Sequence, residues 1–144
     1  MNILIIENEI KKKKKVVSRL LDDGHSCDYI ESPNIDNLTK EYDTILLSTS
    51  LPSALCKNII KRYSENAIIL LLVSYISDET VTNPIKDGAK DYIMKPFIMD
   101  ELVRKIYHYK ECRSIRRELQ TLREYFNFTM AEIDIKDVLL PPSF

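Results

Sequence analysis

The chain has 144 residues, with 21 lysines and arginines against 22 aspartates and glutamates and a formal net charge of −1. That length suits one domain with a sizeable core and a short appendage, and the near-neutral balance excludes a global pull toward nucleic acid or an anionic membrane. Cys27, Cys56 and Cys112 stand far apart, with no Cys-x-x-Cys or His-x-x-x-His pair, so zinc is not expected, no metal or other cofactor is assigned, and reduced thiols in a cytoplasmic protein are expected.

Asn2 to Ile6 is a continuous apolar run, the pattern of a parallel-sheet strand buried on both faces. It begins at once after Met1, so no signal peptide is expected. Glu9 to about Asp23 reads as the first helix, stopped by Gly24. Lys11 to Lys15 point all round that helix, so at least one lysine must snorkel on its inner side. The run is either a solvated face or a basic patch beside a pocket. Val16, Val17, Leu20 and Leu21 supply the core stripe. Ser26–Ile30 is a second strand, and Pro33 to Lys40 a short helix or irregular crossover. Asp43 to Leu47 is a third strand running into Ser48. Ser53 has the chemistry of an N-cap for a helix from Ala54 to about Tyr63.

Ala67–Val73 is the most apolar strand and the expected centre of the sheet; it is far too short to cross a bilayer, which takes about 20 residues. A helix over Ser77–Lys86 carries Asp78 and Glu79 in its first turn, where negative charge suits the dipole. Pro84 inside it predicts a broken or short element, and Gly88 ends it. Tyr92–Met94 is the fifth strand. The last helix starts near Met99–Asp100, and no glycine or proline follows from Ile98 to Leu140. Beyond Lys110 its apolar residues are Ile115, Leu119, Leu122 and Phe126, spaced four, three and four apart. This is a heptad-like seam that predicts a homodimer, with packing inside the chain as the alternative. The boundaries follow: a domain over 1–110, a dimerisation helix over 111–130, and a tail over 131–144 whose apolar end reads as the approach to a further domain.

Strands alternating with helices specify an α/β fold with a doubly wound parallel sheet, whose site lies at the carboxyl ends of the strands. Glu7, Asn8, Ser48, Ser74 and Lys95 are the polar tips of those strands, so they should converge on one pocket with Ser48 at its floor. Asp43 lies at the opposite end of its strand, about 16 Å from Ser48 at normal strand rise, and Glu31 reads as a rim acid. His25 and His108 read as surface residues, and Met94, Met99 and Met130 as packing residues.

The order strand–acidic cluster, strand–polar tip–x-x-Leu-Pro, strand–Ser, then Gly88-Ala89-Lys90-Asp91-Tyr92-Ile93-Met94-Lys95-Pro96-Phe97 resembles a bacterial two-component response-regulator receiver domain over about residues 1–110. The resemblance implies a flavodoxin-like five-stranded sheet of order 2-1-3-4-5. It also implies a switch pair formed by Ser74 and Tyr92, and a cis peptide before Pro96. In that family the strand ending here at Ser48 ends in an aspartate that accepts a phosphoryl group, and an acidic pair occupies the positions of Glu7 and Asn8. An alcohol without an adjacent base is a poor nucleophile, and the loss of two acids, at Ser48 and Asn8, leaves Glu7 and Glu9 near the metal position with less charge than Mg²⁺ usually demands. Glu7 is instead expected to pair with Lys95, with Asn8, Ser48 and Ser74 completing a neutral hydrogen-bond network that is insensitive to phosphate.

The function expected is an atypical, phosphorylation-independent receiver in signal transduction, with no catalytic residue, regulating transcription through an output domain beyond these residues. DNA would be reached only through that domain, because the basic side chains of the last helix are interleaved with acids. The alternative is a stand-alone adaptor of receiver fold that binds a protein partner. A hydrolase using Ser48 is disfavoured, since Gly-x-Ser-x-Gly and a histidine partner are missing.

Overall fold

The computed structural model describes residues 1–8, 13–31 and 38–132, with side chains described to residue 127. The first turn expected for the first helix, most of the crossover from Pro33, the Met130 side chain and the tail over 133–144 lie outside what is described.

Five strands, β1 (Asn2–Ile6), β2 (Ser26–Ile30), β3 (Thr44–Ser48), β4 (Ile68–Val73) and β5 (Asp91–Met94), form one sheet in the order β2-β1-β3-β4-β5. Every pairing is parallel. The order is that expected from the sequence. The period of two sorts the apolar runs between two cores. Leu4, Ile6, Ile45, Leu47, Ile69, Leu71 and Val73 face one side, where Cys56, Ile59, Ile60 and Tyr63 of α2 (Ser53–Tyr63) cover them. Ile3, Ile5, Leu46, Leu70, Leu72 and Ile93 face the other, under Val16 and Leu20 of α1 (Lys13–Asp22) and Leu102 and Ile106 of the last helix.

Helix α1 ends where Gly24 takes φ 87°. The Gly24 N–H donates to Leu21 and the His25 N–H to Leu20, the paired bonds by which a left-handed glycine closes a helix. The segment containing Pro84 splits as its proline demands: a π-helical turn (Asp78–Thr82) precedes a five-residue α3 (Asn83–Asp87). Ser77 caps the turn by a reciprocal box with Thr80. Ser53 does not cap α2. It is the first helical residue, and its hydroxyl donates to Glu79 at 2.6 Å, while Pro52 holds the cap position without a side-chain bond.

The last helix, α4 (Met99–Glu132), is continuous. The chain divides into two compact units, Met1–Tyr109 and Lys110–Phe144. In the first, Leu102, Val103 and Ile106 are buried. In the second, Ile115, Leu119, Leu122 and Phe126 are 50% to 62% exposed. Among the described residues no helix is long and apolar enough to cross a membrane. Cys27 is half-buried, Cys56 buried and Cys112 exposed.

Two further expectations for single residues are overturned. His25 is buried, not superficial: one ring nitrogen meets the Met1 amino group at 3.2 Å and the other the Tyr107 hydroxyl at 3.0 Å. A buried imidazole is tolerated when both nitrogens are partnered. Met94, read as a packing residue, is exposed, whereas Met99 packs against the α1 side of the core.

Candidate functional site

Parallel register brings the strand tips to one edge. Ile6 pairs with Leu47, Ser48 with Leu72 and Val73 with Met94. The ladder runs one step further: Glu7 N–H donates to Ile30, Thr49 N–H to Leu72, and Lys95 N–H to Val73 at 2.7 Å. The backbone therefore fixes the starting points of the Glu7, Ser48 and Lys95 side chains before any of them makes a contact. The Lys95-Pro96 peptide is cis.

From there Lys95 reaches two partners. Its ammonium is 2.8 Å from a Glu7 carboxylate oxygen, with the two side chains only 12% and 8% exposed. It also donates to Ser48 Oγ at 2.8 Å. Ser48, the last residue of β3, is fully buried. Its oxygen also accepts from the Ser50 N–H at 3.3 Å and lies 2.6 Å from Ser50 Oγ. Ser50 Oγ donates its one proton to Asn8 Oδ1 at 2.6 Å, so Ser48 must be the donor in the Ser48–Ser50 bond. A hydroxyl has one proton and two lone pairs, and all three are committed here. Cys56 Sγ lies 3.6 Å from the Ser48 carbonyl oxygen, and burial pushes its thiol up to about 11.

Four of the five expected tips are thus joined: Glu7 and Ser48 through Lys95, and Asn8 through Ser50. Ser74 is not. It lines a cavity with Glu7 and Lys95, but it is exposed and forms no bond to the network among the described residues. The tip of β4 follows the last apolar residue, Val73, outward, and Ser48 is already saturated. Ser50 is the member that strand-end reasoning passes over. Its signal is the alternation Ser48-Thr49-Ser50, which sets two hydroxyls on one side of the turn.

Tyr92 is half-buried and held from the α4 side. Its carbonyl accepts from Lys105 at 2.7 Å, and the same ammonium stands 5.4 Å from its ring centre. Lys105 in turn pairs with Asp91 at 3.3 Å, and the Tyr109 hydroxyl donates to that carboxylate at 3.0 Å. Asp43, at the far end of β3, accepts from the Asn2 N–H at 2.8 Å. Among the described residues no three histidines, cysteines or carboxylates cluster in a way that could hold a metal ion; Glu9 lies outside those residues.

No family model matches the chain. The transcriptional regulatory protein DltR of Streptococcus agalactiae is 32% identical over 113 residues, or 74% of this chain and 50% of the relative. The response regulator ArlR of Staphylococcus haemolyticus is 34% identical over 112 residues, or 73% of this chain and 50% of the relative. The chain spans about half the length of the curated relatives it matches. Among solved structures, NtrX from Brucella abortus superposes with a TM-score of 0.69 at 26% identity, over 85% of this chain and 29% of that one. The relatives and structural neighbours of this chain are transcriptional response regulators and receiver domains, and its five-stranded domain has the receiver fold.

Proposed function

We propose that this chain is an atypical receiver that signals without being phosphorylated and that regulates transcription through an output domain. The observation that carries this is the state of Ser48. The position at which the receiver resemblance calls for an accepting carboxylate holds a buried alcohol whose proton and lone pairs are all engaged, with an ammonium 2.8 Å away. Phosphoryl transfer needs a nucleophilic oxygen and a cation to neutralise the transferred group. A saturated hydroxyl offers no free lone pair, and the Glu7 carboxylate that would help to hold Mg²⁺ is spent on Lys95. Nor does Lys95 serve Ser48 as a base, because it is the donor in that contact; the domain is a switch module and not an enzyme.

The relatives' names supply the transcriptional role, and the exposed seam Ile115, Leu119, Leu122 and Phe126 supports action as a homodimer. A cytoplasmic setting follows from that role. The test is incubation of the full chain with radiolabelled acetyl phosphate and Mg²⁺, beside a receiver that has the aspartate. No stable label on this chain is expected, while the control is labelled. Stable, near-stoichiometric label here would overturn the proposal.

A further inference from the structure

In the second unit, Ile115, Leu119, Leu122 and Phe126 follow one another by four, three and four residues. Only one assignment fits a seven-residue repeat lettered a to g with an apolar a and d: Ile115 and Leu122 take d, Leu119 and Phe126 take a. That register places the neighbouring residues of the same helix. Cys112, three before Ile115, is the preceding a position, and it is exposed. Glu111 and Glu118 both take g, and Arg116 and Arg123 both take e. The apolar stripe is therefore edged by acid on one side and base on the other, and all four charged residues are exposed. Charges on a helix surface pair with residues three or four away. None of these four has an opposite charge at either spacing; Glu118, for instance, has Ser114, Ile115, Thr121 and Leu122 there. Among the described residues, none of the four is in an ion pair. Glu124, which points away from the stripe at f, is by contrast bonded to Gln120 at 3.3 Å.

We infer, resting on the homodimer reading above, that two copies of this helix associate parallel and in register, Glu111 and Glu118 of each copy pairing with Arg116 and Arg123 of the other. In a parallel pair a g side chain lies beside the next e of the other helix, and e and g charges set partner and orientation. Glu111 then meets Arg116 and Glu118 meets Arg123, on both sides of the two-fold axis. The stripe is complementary to itself, which is what a closed two-fold contact requires of a single surface. In an antiparallel pair g meets g and e meets e, so glutamate would face glutamate and arginine face arginine; that repulsion selects against the wrong orientation. The occupant of this face is accordingly a second copy of the chain.

Orientation is read at Cys112. In the parallel pair the two Cys112 residues oppose each other. In an antiparallel pair centred on Leu119 they stand about 21 Å apart along the axis, at 1.5 Å per residue, beyond the roughly 7 Å between Cα atoms that a disulfide spans. The experiment treats the full chain with copper phenanthroline in air. Two Cys112 thiols join in one S–S bond, their two protons pass to the buffer, and dioxygen takes the two electrons through the copper. A disulfide-linked dimer is the expected main product, and Cys112→Ser should abolish it. Glu111→Arg with Glu118→Arg sets arginine against arginine on both edges, and sedimentation equilibrium should show association weakened about tenfold or more. Adding Arg116→Glu and Arg123→Glu to that variant restores opposite charges and should restore both the dimer and the cross-link. The far-ultraviolet spectrum of each variant reports its folding directly. A parent that sediments as a dimer but does not cross-link at Cys112, a trimer, unchanged association of the double arginine variant, or no rescue by the fourfold exchange would overturn the inference and leave the homodimer reading standing. A monomeric parent would overturn both, and acetyl phosphate labelling bears on neither.

Discussion

Lys95 holds two buried oxygens at once, and removing it should expose how much of the domain depends on that. Lys95→Met leaves the Glu7 carboxylate buried without the ammonium and Ser48 without one of its donors, so a loss of about 3–5 kcal/mol is expected, the usual result of deleting one partner of a buried pair, read by urea denaturation. A gain should also be obtainable. Asn8→Asp combined with Ser48→Asp restores carboxylates at two tips beside Glu7, and Mg²⁺ takes such oxygen ligands. Saturable Mg²⁺ binding, followed by tyrosine fluorescence in a chain without tryptophan, is expected in that variant and not in the parent. A third residue carries a pH signature. The Tyr42 hydroxyl, bonded to Asp28 at 2.8 Å, and then Lys40 hold the Asp28 carboxyl below its usual range. A depressed carboxylate stabilises the fold above its unfolded value, about 3.9, and that contribution is lost as the pH falls through the lower folded value. Tyr42→Phe should therefore cost about 1 kcal/mol near neutrality, modest because the Asp28 side chain is 45% exposed and solvent screens it, with the difference from the parent shrinking below about pH 4. At this scale the sequence was partly legible. Glu7 and Lys95 could be paired because parallel strands end on one edge. His25 could not be placed, because its partners lie 24 and 82 residues away and nothing local marks them. Ser74 was misjudged because a hydroxyl at a strand tip can face the network or solvent with the same hydropathy.

Elements were read more reliably than their ends. All five strands were legible, β1, β3 and β4 as apolar runs, yet β3 extends to Ser48, because a tip whose neighbours still pair remains in the ladder whatever its polarity. Ser53 has cap chemistry, but a carboxylate on the π-helical turn, Glu79, claimed its hydroxyl. The break around Pro84 was legible from the ring alone; that it takes the form of a π-helical turn before α3 was not, since that depends on Thr80 reaching back to Ser77 and to the Tyr75 carbonyl. Gly88 closes α3 at φ 135°, and a Cβ there would meet Ser64 Cβ at 2.6 Å. Gly88→Ala combines a disfavoured dihedral with an overlap against α2's end, so a loss of roughly 2–4 kcal/mol is expected, measured as a fall in the thermal midpoint.

At the scale of the whole molecule, the spacing of Ile115, Leu119, Leu122 and Phe126 is that of a seam, and all four side chains are exposed. If the seam joins two copies, Leu119→Glu with Leu122→Glu places like charges face to face, and sedimentation equilibrium should shift from dimer to monomer while the far-ultraviolet spectrum of the domain persists. A parent that sediments as a monomer at high concentration would remove the dimer from the account. The distribution of sulfur bears on the same question. Burial pushes the Cys27 and Cys56 thiols up to about 11, so neither is an effective nucleophile near neutral pH, whereas Cys112 sits in the open three residues before the seam begins. A maleimide spin label should therefore land on one place in each polypeptide without any engineering, and an inter-label dipolar spectrum would report the spacing of two seams directly.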